Sequence, residues 1–171
     1  MSKKSFFLIG FMGVGKTTVG RDLAKRLGMP FYDLDRMIEE RAGKSVAEIF
    51  LAGGEEAFRT IETRVLQEMV SQEPGVIATG GGTFTRPENR ELIRTAGVSV
   101  WLDAPAEMVI DRGARGEHRP LWVGPDKAKA LLDQRLAHYR QADLRFDLKT
   151  WSSEEAAELL AEMLEPYRGA R

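Results

Sequence analysis

The sequence predicts an α/β fold, a parallel sheet covered by helices on both faces. Three observations predict it. Short apolar runs alternate with segments of helical periodicity along the whole chain. A glycine-rich stretch, "GFMGVGKTT", follows the first apolar run and opens a helix. Candidate polar site residues fall just after apolar runs, where ligands bind in such folds.

The elements follow in order. Phe6–Gly10 reads as a buried strand, and a helix from Lys16 to Leu27 stops at Gly28-Met29-Pro30. "PFYDLD" reads as a second strand ending at Asp33 to Asp35, and "RMIEERAG" as a short helix closed by Gly43. Ser45 and Glu48 fit a capping box that starts another helix. "GGEEAFRTIETRVLQEMV" is long and amphipathic. "GVIATGGG" is a strand running into three glycines, "PENRELIRTA" is helical, "VSVWLD" is a strand and "APAEMVIDRG" is helical. "GARGEHRPLWVGPD" has no periodicity and reads as a mobile loop. A helix over "KAKALLDQRLAHYRQA", a strand over "LRFDL" and a closing helix over "SSEEAAELLAEML" complete the chain.

Bulk properties narrow the function. With 171 residues the chain suits one domain, 1–171. A domain of this size buries roughly 70% of the surface its unfolded chain exposes. The absence of cysteine excludes thiol catalysis, thiolate metal sites and disulfides. A formal net charge of -1, from 25 basic and 26 acidic residues, argues against a nucleic-acid or membrane-surface partner. The N-terminus lacks a signal-peptide cleavage pattern, and no apolar stretch is long enough to span a bilayer. The expectation is a soluble cytoplasmic monomer.

Gly10 to Thr17 matches G-x-x-x-x-G-K-[ST] between a strand and a helix. Glycines there let backbone N–H groups curl around phosphates, and the helix N-terminus adds its positive end. The nucleotide contacts expected are Gly13, Val14, Gly15, Lys16, Thr17 and Thr18. Lys16 would reach the outer phosphates, and the Thr17 hydroxyl would take Mg²⁺.

The acceptor side is more open. Asp33 and Asp35, taken as i and i+2 on one strand, would face the same way about 6–7 Å apart. One could then hold a metal-bound water and the other deprotonate a hydroxyl. The alternative is two solvated loop aspartates, or N-caps for the next helix. Arg59 sits at the edge of the apolar stripe Phe58, Ile61, Val65, Leu66 and Met69, with Glu62 near its centre. Glu62 is expected to lock Arg59, freeing it to grip an anion, although a surface pair with Glu55 is the plainer reading. Arg135 shares a stripe with Leu131 and Tyr139 and has no acidic residue at i±3 or i±4. It either finds its anion elsewhere or snorkels to solvent. Gly80, Gly81 and Gly82 suggest close backbone approach to a ligand, and Thr79 could touch a metal's water shell. Arg112, Arg115 and Arg119 sit on the loop read as mobile. They are either solvated charges or a lid that brings a cation to a transferring phosphate. Asp103, after its own strand, is the rival to Asp33 for the metal.

Taken together, "GFMGVGKTT", "DLD", "GEEAFRTIE", "GGG", "RPL" and the arginine in "LLDQRLAHYRQAD" resemble the shikimate kinase family over nearly the whole chain. That resemblance implies a P-loop three-layer α/β/α fold with a five-stranded parallel sheet, like nucleoside monophosphate kinases. A substrate-binding helical region would span about 33–62 and a lid about 112–125. It implies transfer of the ATP γ-phosphate to the 3-hydroxyl of shikimate, with Mg²⁺, in aromatic amino-acid synthesis. Lys16, Asp35 and Arg119 fall at catalytic positions, Thr17 and Asp33 at the metal position. Asp35, Arg59, Arg135 and Gly80 to Gly82 fall where the family holds its substrate. Arg112 matches the arginine that packs on adenine, and Trp151 is a further candidate border for the base. The chain departs from the family pattern at Gly113, Gly116 and Trp122, which bear on lid motion and the adenine contacts. The rival readings are a kinase for another small hydroxy acid such as gluconate, an adenylate-kinase-like activity, and a non-catalytic nucleotide-binding regulator.

Overall fold

The computed structural model describes residues 4–115 and 121–169. Five strands, β1 (Ser5–Ile9), β2 (Phe31–Asp33), β3 (Val76–Ala78), β4 (Gly97–Asp103) and β5 (Leu144–Asp147), form one sheet in the order β2-β3-β1-β4-β5. Every pairing is parallel, with Phe7 beside both Ile77 and Ser99, and Val100 beside Leu144. All five residues of β1 are buried, as are five consecutive residues of β4. Side chains on a strand alternate between faces, so both faces of the sheet are covered.

The strand order explains how. The connection from β1 to β2 runs one way across the sheet, and those from β3 to β4 to β5 run the other way. Right-handed crossovers in opposite directions place their helices on opposite faces. Helix α1 (Lys16–Leu27) accordingly packs with α7 (Ser153–Leu164) on one face. On the other, α3 (Val46–Met69) packs with α2 (Leu34–Ala42) and α4 (Pro87–Ala96), and α5 (Ala106–Ala114) packs with α6 (Pro125–Tyr139). The expected five-stranded, three-layer P-loop fold is the one observed.

Three differences from the expected elements matter for the site. Strand β2 ends at Asp33, not Asp35. The Asp33 carboxylate caps α2 instead, its Oδ1 accepting from the N–H groups of Asp35 at 3.1 Å and Arg36 at 3.3 Å. A side-chain cap answers two orphan helix donors, which a continuing strand would not. The helix starting at the Ser45–Glu48 capping box and the long amphipathic helix are also joined into α3, with a break at Gly54, where φ is 73°. Only a residue without Cβ takes that conformation cheaply inside a helix. Finally, Arg112 lies in the last turn of α5, and Arg115 caps that helix and pairs with Asp111 at 2.8 Å. The helix therefore takes up part of the stretch read as loop.

Among the described residues, no helix is long and apolar enough to cross a membrane.

Candidate active site

The carboxyl ends of β1, β2 and β3 open onto one cavity of about 470 Å³. It lies at the point where the strand order reverses, the usual ligand position in open parallel sheets. Gly13, Gly15, Lys16, Thr17, Thr18, Asp33, Asp35, Arg59, Thr79, Gly80, Gly81, Gly82 and Arg135 all line it.

The phosphate side is built from the loop between β1 and α1. Gly13 and Gly15 take φ of 81° and 106°, so the backbone can coil tightly before the helix. Helix α1 begins at Lys16 with no side-chain cap and no carboxylate in its first turn. Its positive dipole end therefore faces the cavity with no carboxylate from the helix itself. The Lys16 ammonium is folded over the loop, donating to the carbonyls of Gly10 at 2.6 Å and Phe11 at 3.0 Å. Val14 does not line the cavity. Its side chain belongs to the core, and its N–H donates to the Phe11 carbonyl at 3.3 Å.

The metal candidates separate cleanly in space. The Thr17 hydroxyl donates to Asp33 Oδ2 at 2.9 Å, joining the start of α1 to the start of α2. Asp103 accepts from Arg145 Nε at 2.9 Å and does not line this cavity. Thr79 lines the cavity but gives its hydroxyl proton to the Leu8 carbonyl at 2.8 Å. Mg²⁺ keeps several waters and takes phosphate oxygens, so two adjacent hard oxygens beside a phosphate cradle fit it.

The opposite wall carries two buried guanidinium groups. Arg59 and Arg135 are only 7% and 5% exposed. Arg59 Nη1 donates to Glu62 Oε1 at 2.8 Å, and Nη2 reaches Glu55 at 3.4 Å. Burial works against the Arg59 charge, but Glu62 and then Glu55 more than offset it and hold the guanidinium above its ordinary pKa. Arg59 thus contacts both carboxylates, with the shorter contact going to fully enclosed Glu62. Arg135 lies 5.6 Å from the centre of the Phe11 ring, and its Nη1 is buried with no hydrogen-bond partner among the described residues. An unanswered buried donor on a charged group is costly, and here it borders the cavity.

The three glycines turn out to serve these side chains. A methyl group at Gly82 would lie 2.2 Å from Arg59 Nη2, and one at Gly81 would lie 3.0 Å from Arg135 Nη1. One at Gly80 would lie 3.0 Å from Glu62 Oε2 and 3.2 Å from Asp35 Oδ1. The bare backbone was expected to admit a ligand; it also seats the charged groups that border the cavity. Tyr139, seen in the sequence only as part of an apolar stripe, donates its hydroxyl to the Gly81 carbonyl at 2.5 Å. Burial pushes its phenol up to about 12, against the pull of Arg135, so it stays a donor.

Asp35 lies in the first turn of α2. Its carboxyl is raised from 3.8 to about 6, first by desolvation, then by the negative charges of Glu62 and Asp33, with Lys16 and Arg59 pulling the other way. Asp35 still carries solvent-exposed surface, so water reaches part of the group. Arg112 is exposed and does not line the cavity. Arg119 lies outside the described residues. No motif in the sequence points to Val46, Phe50 and Leu121, which line the cavity; only folding brings them there.

The Asp35 shift has a consequence for stability. Its folded pKa lies above its unfolded value, so ionisation costs the fold stability. That cost is absent below about pH 4, grows between about pH 4 and 6, and is constant above. Asp35→Asn should therefore raise the Tm of the metal-free, nucleotide-free protein, and by more at about pH 8 than at about pH 4. An equal gain at both pH values, or a loss, would contradict the assignment.

Comparison with known proteins shows the family. The sequence profile of the shikimate kinase family matches residues 12–165. A shikimate kinase from Symbiobacterium thermophilum is 50% identical over 141 residues, covering 79% of this chain and 80% of the relative. One from Synechococcus elongatus is 42% identical over 162 residues, covering 93% and 84%. The solved structure of shikimate kinase from Acinetobacter baumannii, in complex with shikimate, superposes with a TM-score of 0.91 at 37% identity, covering 95% of this chain and 93% of that one. The chain belongs to the shikimate kinase family.

Proposed function

We propose that this protein transfers the γ-phosphoryl group of ATP to the 3-hydroxyl of shikimate, giving ADP and shikimate 3-phosphate. Family membership supports the reaction. The observation that carries the substrate reading is the pair of buried arginines, Arg59 and Arg135, on the same cavity as Asp35 and the P-loop. Two desolvated guanidinium groups select a small anion, and a carboxylate takes their forked donors well. Arg135 Nη1 gains an acceptor, which it lacks among the described residues.

The residues then divide the work. The substrate carboxylate binds Arg59 and Arg135, and the backbone of Gly80 to Gly82 closes on the ring. Asp35 orients the attacking hydroxyl and accepts its proton. A carboxyl with a pKa of about 6 is mostly ionised at neutral pH, yet a stronger base than an ordinary aspartate. The hydroxyl oxygen bonds to the γ-phosphorus as the bond to the bridging oxygen breaks, and ADP leaves with that electron pair. Lys16 and the N–H groups of Gly13, Gly15, Thr17 and Thr18 hold the phosphates, and Arg119 would add a cation from the lid, 112–125. Thr17 and Asp33 would hold Mg²⁺, which when bound neutralises phosphate charge. Arg112 and Trp151 are proposed borders for adenine. The product is a phosphate monoester of the shikimate pathway, and we read the enzyme as a cytoplasmic monomer.

The direct test is ADP release with shikimate, gluconate and AMP in parallel. Shikimate should turn over and the other two should not. Faster turnover of gluconate or AMP, or of none, would overturn the reading. A second outcome tests the arginine clamp. Gly82 has φ -106° and ψ -2°, which alanine adopts freely. The group its methyl would strike is the far end of Arg59. Gly82→Ala should raise the KM for shikimate about 10-fold, the scale of a lost hydrogen bond to a charged group. The KM for ATP should change little. Equal rises in both KM values would refute the clamp.

A further inference from the structure

Glu62 is 0% exposed, and its two oxygens have different partners. Oε1 accepts from Arg59 Nη1 at 2.8 Å, and Oε2 accepts from the Thr83 hydroxyl, also at 2.8 Å. A carboxylate enclosed this completely needs donors for both oxygens, because each unanswered one carries its full desolvation cost. Arg59 supplies one; the second comes from a residue outside every motif noted in the sequence.

Thr83 is itself held from several sides. It opens the 3₁₀ turn Thr83–Thr85 directly after the three glycines and is 0% exposed. Its N–H donates to the Gly80 carbonyl at 3.3 Å, and its carbonyl accepts from Asn89 Nδ2 of α4 at 2.9 Å. Asn89 is fully buried too. Beside it, Arg90 Nη1 donates to the carbonyls of Phe84 at 2.8 Å and Thr85 at 2.9 Å. Helix α4 thus fixes the turn, and the turn fixes the hydroxyl. A methyl group at Gly80 would lie 3.0 Å from Glu62 Oε2, 3.1 Å from Thr83 Oγ1 and 3.2 Å from Asp35 Oδ1. Three oxygens from three elements therefore surround one point of bare backbone. With the hydroxyl present, Oε2 is tied to Thr83. Without it, Oε2 faces another carboxylate across that point, and Glu62 gains a reason to rotate away from Arg59.

We propose that Thr83 is a positioning residue for substrate binding: its hydroxyl fixes the Glu62 carboxylate so that Arg59 presents its guanidinium to the substrate's acid group. Thr83 acts only through Glu62 and Arg59. The inference rests on the shikimate kinase reading for its substrate.

The test compares wild type, Thr83→Val and Thr83→Ser by steady-state kinetics. Valine keeps the shape and removes the donor; serine keeps the donor and removes the methyl. Thr83→Val should raise the KM for shikimate about 10-fold, leave the KM for ATP near wild type and change kcat less than KM. Thr83→Ser should restore the KM for shikimate. An unchanged KM for shikimate in Thr83→Val, equal rises in both KM values, or failure of serine to rescue would overturn the proposal. If Thr83→Val does not fold, Thr83→Ala read by the same constants decides in the same way. If wild type itself does not phosphorylate shikimate, the functional reading has failed. The positioning claim is then decided by crystal structures of wild type and variant: loss of the Arg59–Glu62 contact in the variant supports it, and an unmoved Arg59 overturns it.

Discussion

The site depends on keeping Arg59 charged and still inside the protein. A guanidinium removed from water is tolerable only if carboxylates and donors close around it with good geometry. Glu62 does this from one helical turn away at 2.8 Å, and Thr83 satisfies the oxygen that Arg59 leaves over. The result is a fixed, mostly neutralised pair with one face on the cavity. Arg135 is treated differently. One of its nitrogens has no acceptor among the described residues.

Room for both comes from Gly80 to Gly82. Side chains there would collide with the ends of Glu62, Arg135 and Arg59 in turn. The turn sits at the end of β3, beside β1 and its phosphate loop, because β3 pairs with β1 in the sheet. Strand order thus sets the buried arginines across one cavity from the glycine-rich loop. Asp35 is delivered between them by the first turn of α2, with Glu62 and Asp33 raising its pKa and Lys16 and Arg59 restraining it. The same neighbours that strengthen its hold on a proton make it costly to ionise.

Much of this was legible in the residues because it is local chemistry. The P-loop, the end of α1 at Gly28, the end of α2 at Gly43 and the Ser45–Glu48 capping box each depend on a few neighbouring residues. The Glu62–Arg59 pair was legible from helical spacing and an apolar stripe. Asp35 was misplaced on a strand because Asp33 can either extend β2 or cap α2, and the cap, which answers two backbone donors, wins. The three glycines point to a ligand in the sequence alone; that side chains from α2, α3 and α6 also crowd them is not legible there. Thr83 and the Tyr139 hydroxyl were invisible for the same reason. Their partners lie 21 and 58 residues away, and no periodicity encodes a contact at that distance.

The central claim is that a carboxylate substrate is held between the two buried arginines and Asp35, across from the nucleotide phosphates. A crystal structure with a non-hydrolysable ATP analogue, Mg²⁺ and shikimate tests it most directly. The account predicts the shikimate carboxylate on Arg59 and Arg135, with a ring hydroxyl on Asp35 facing the γ-phosphate. Shikimate bound elsewhere, or turned with its carboxylate toward the P-loop, would contradict it.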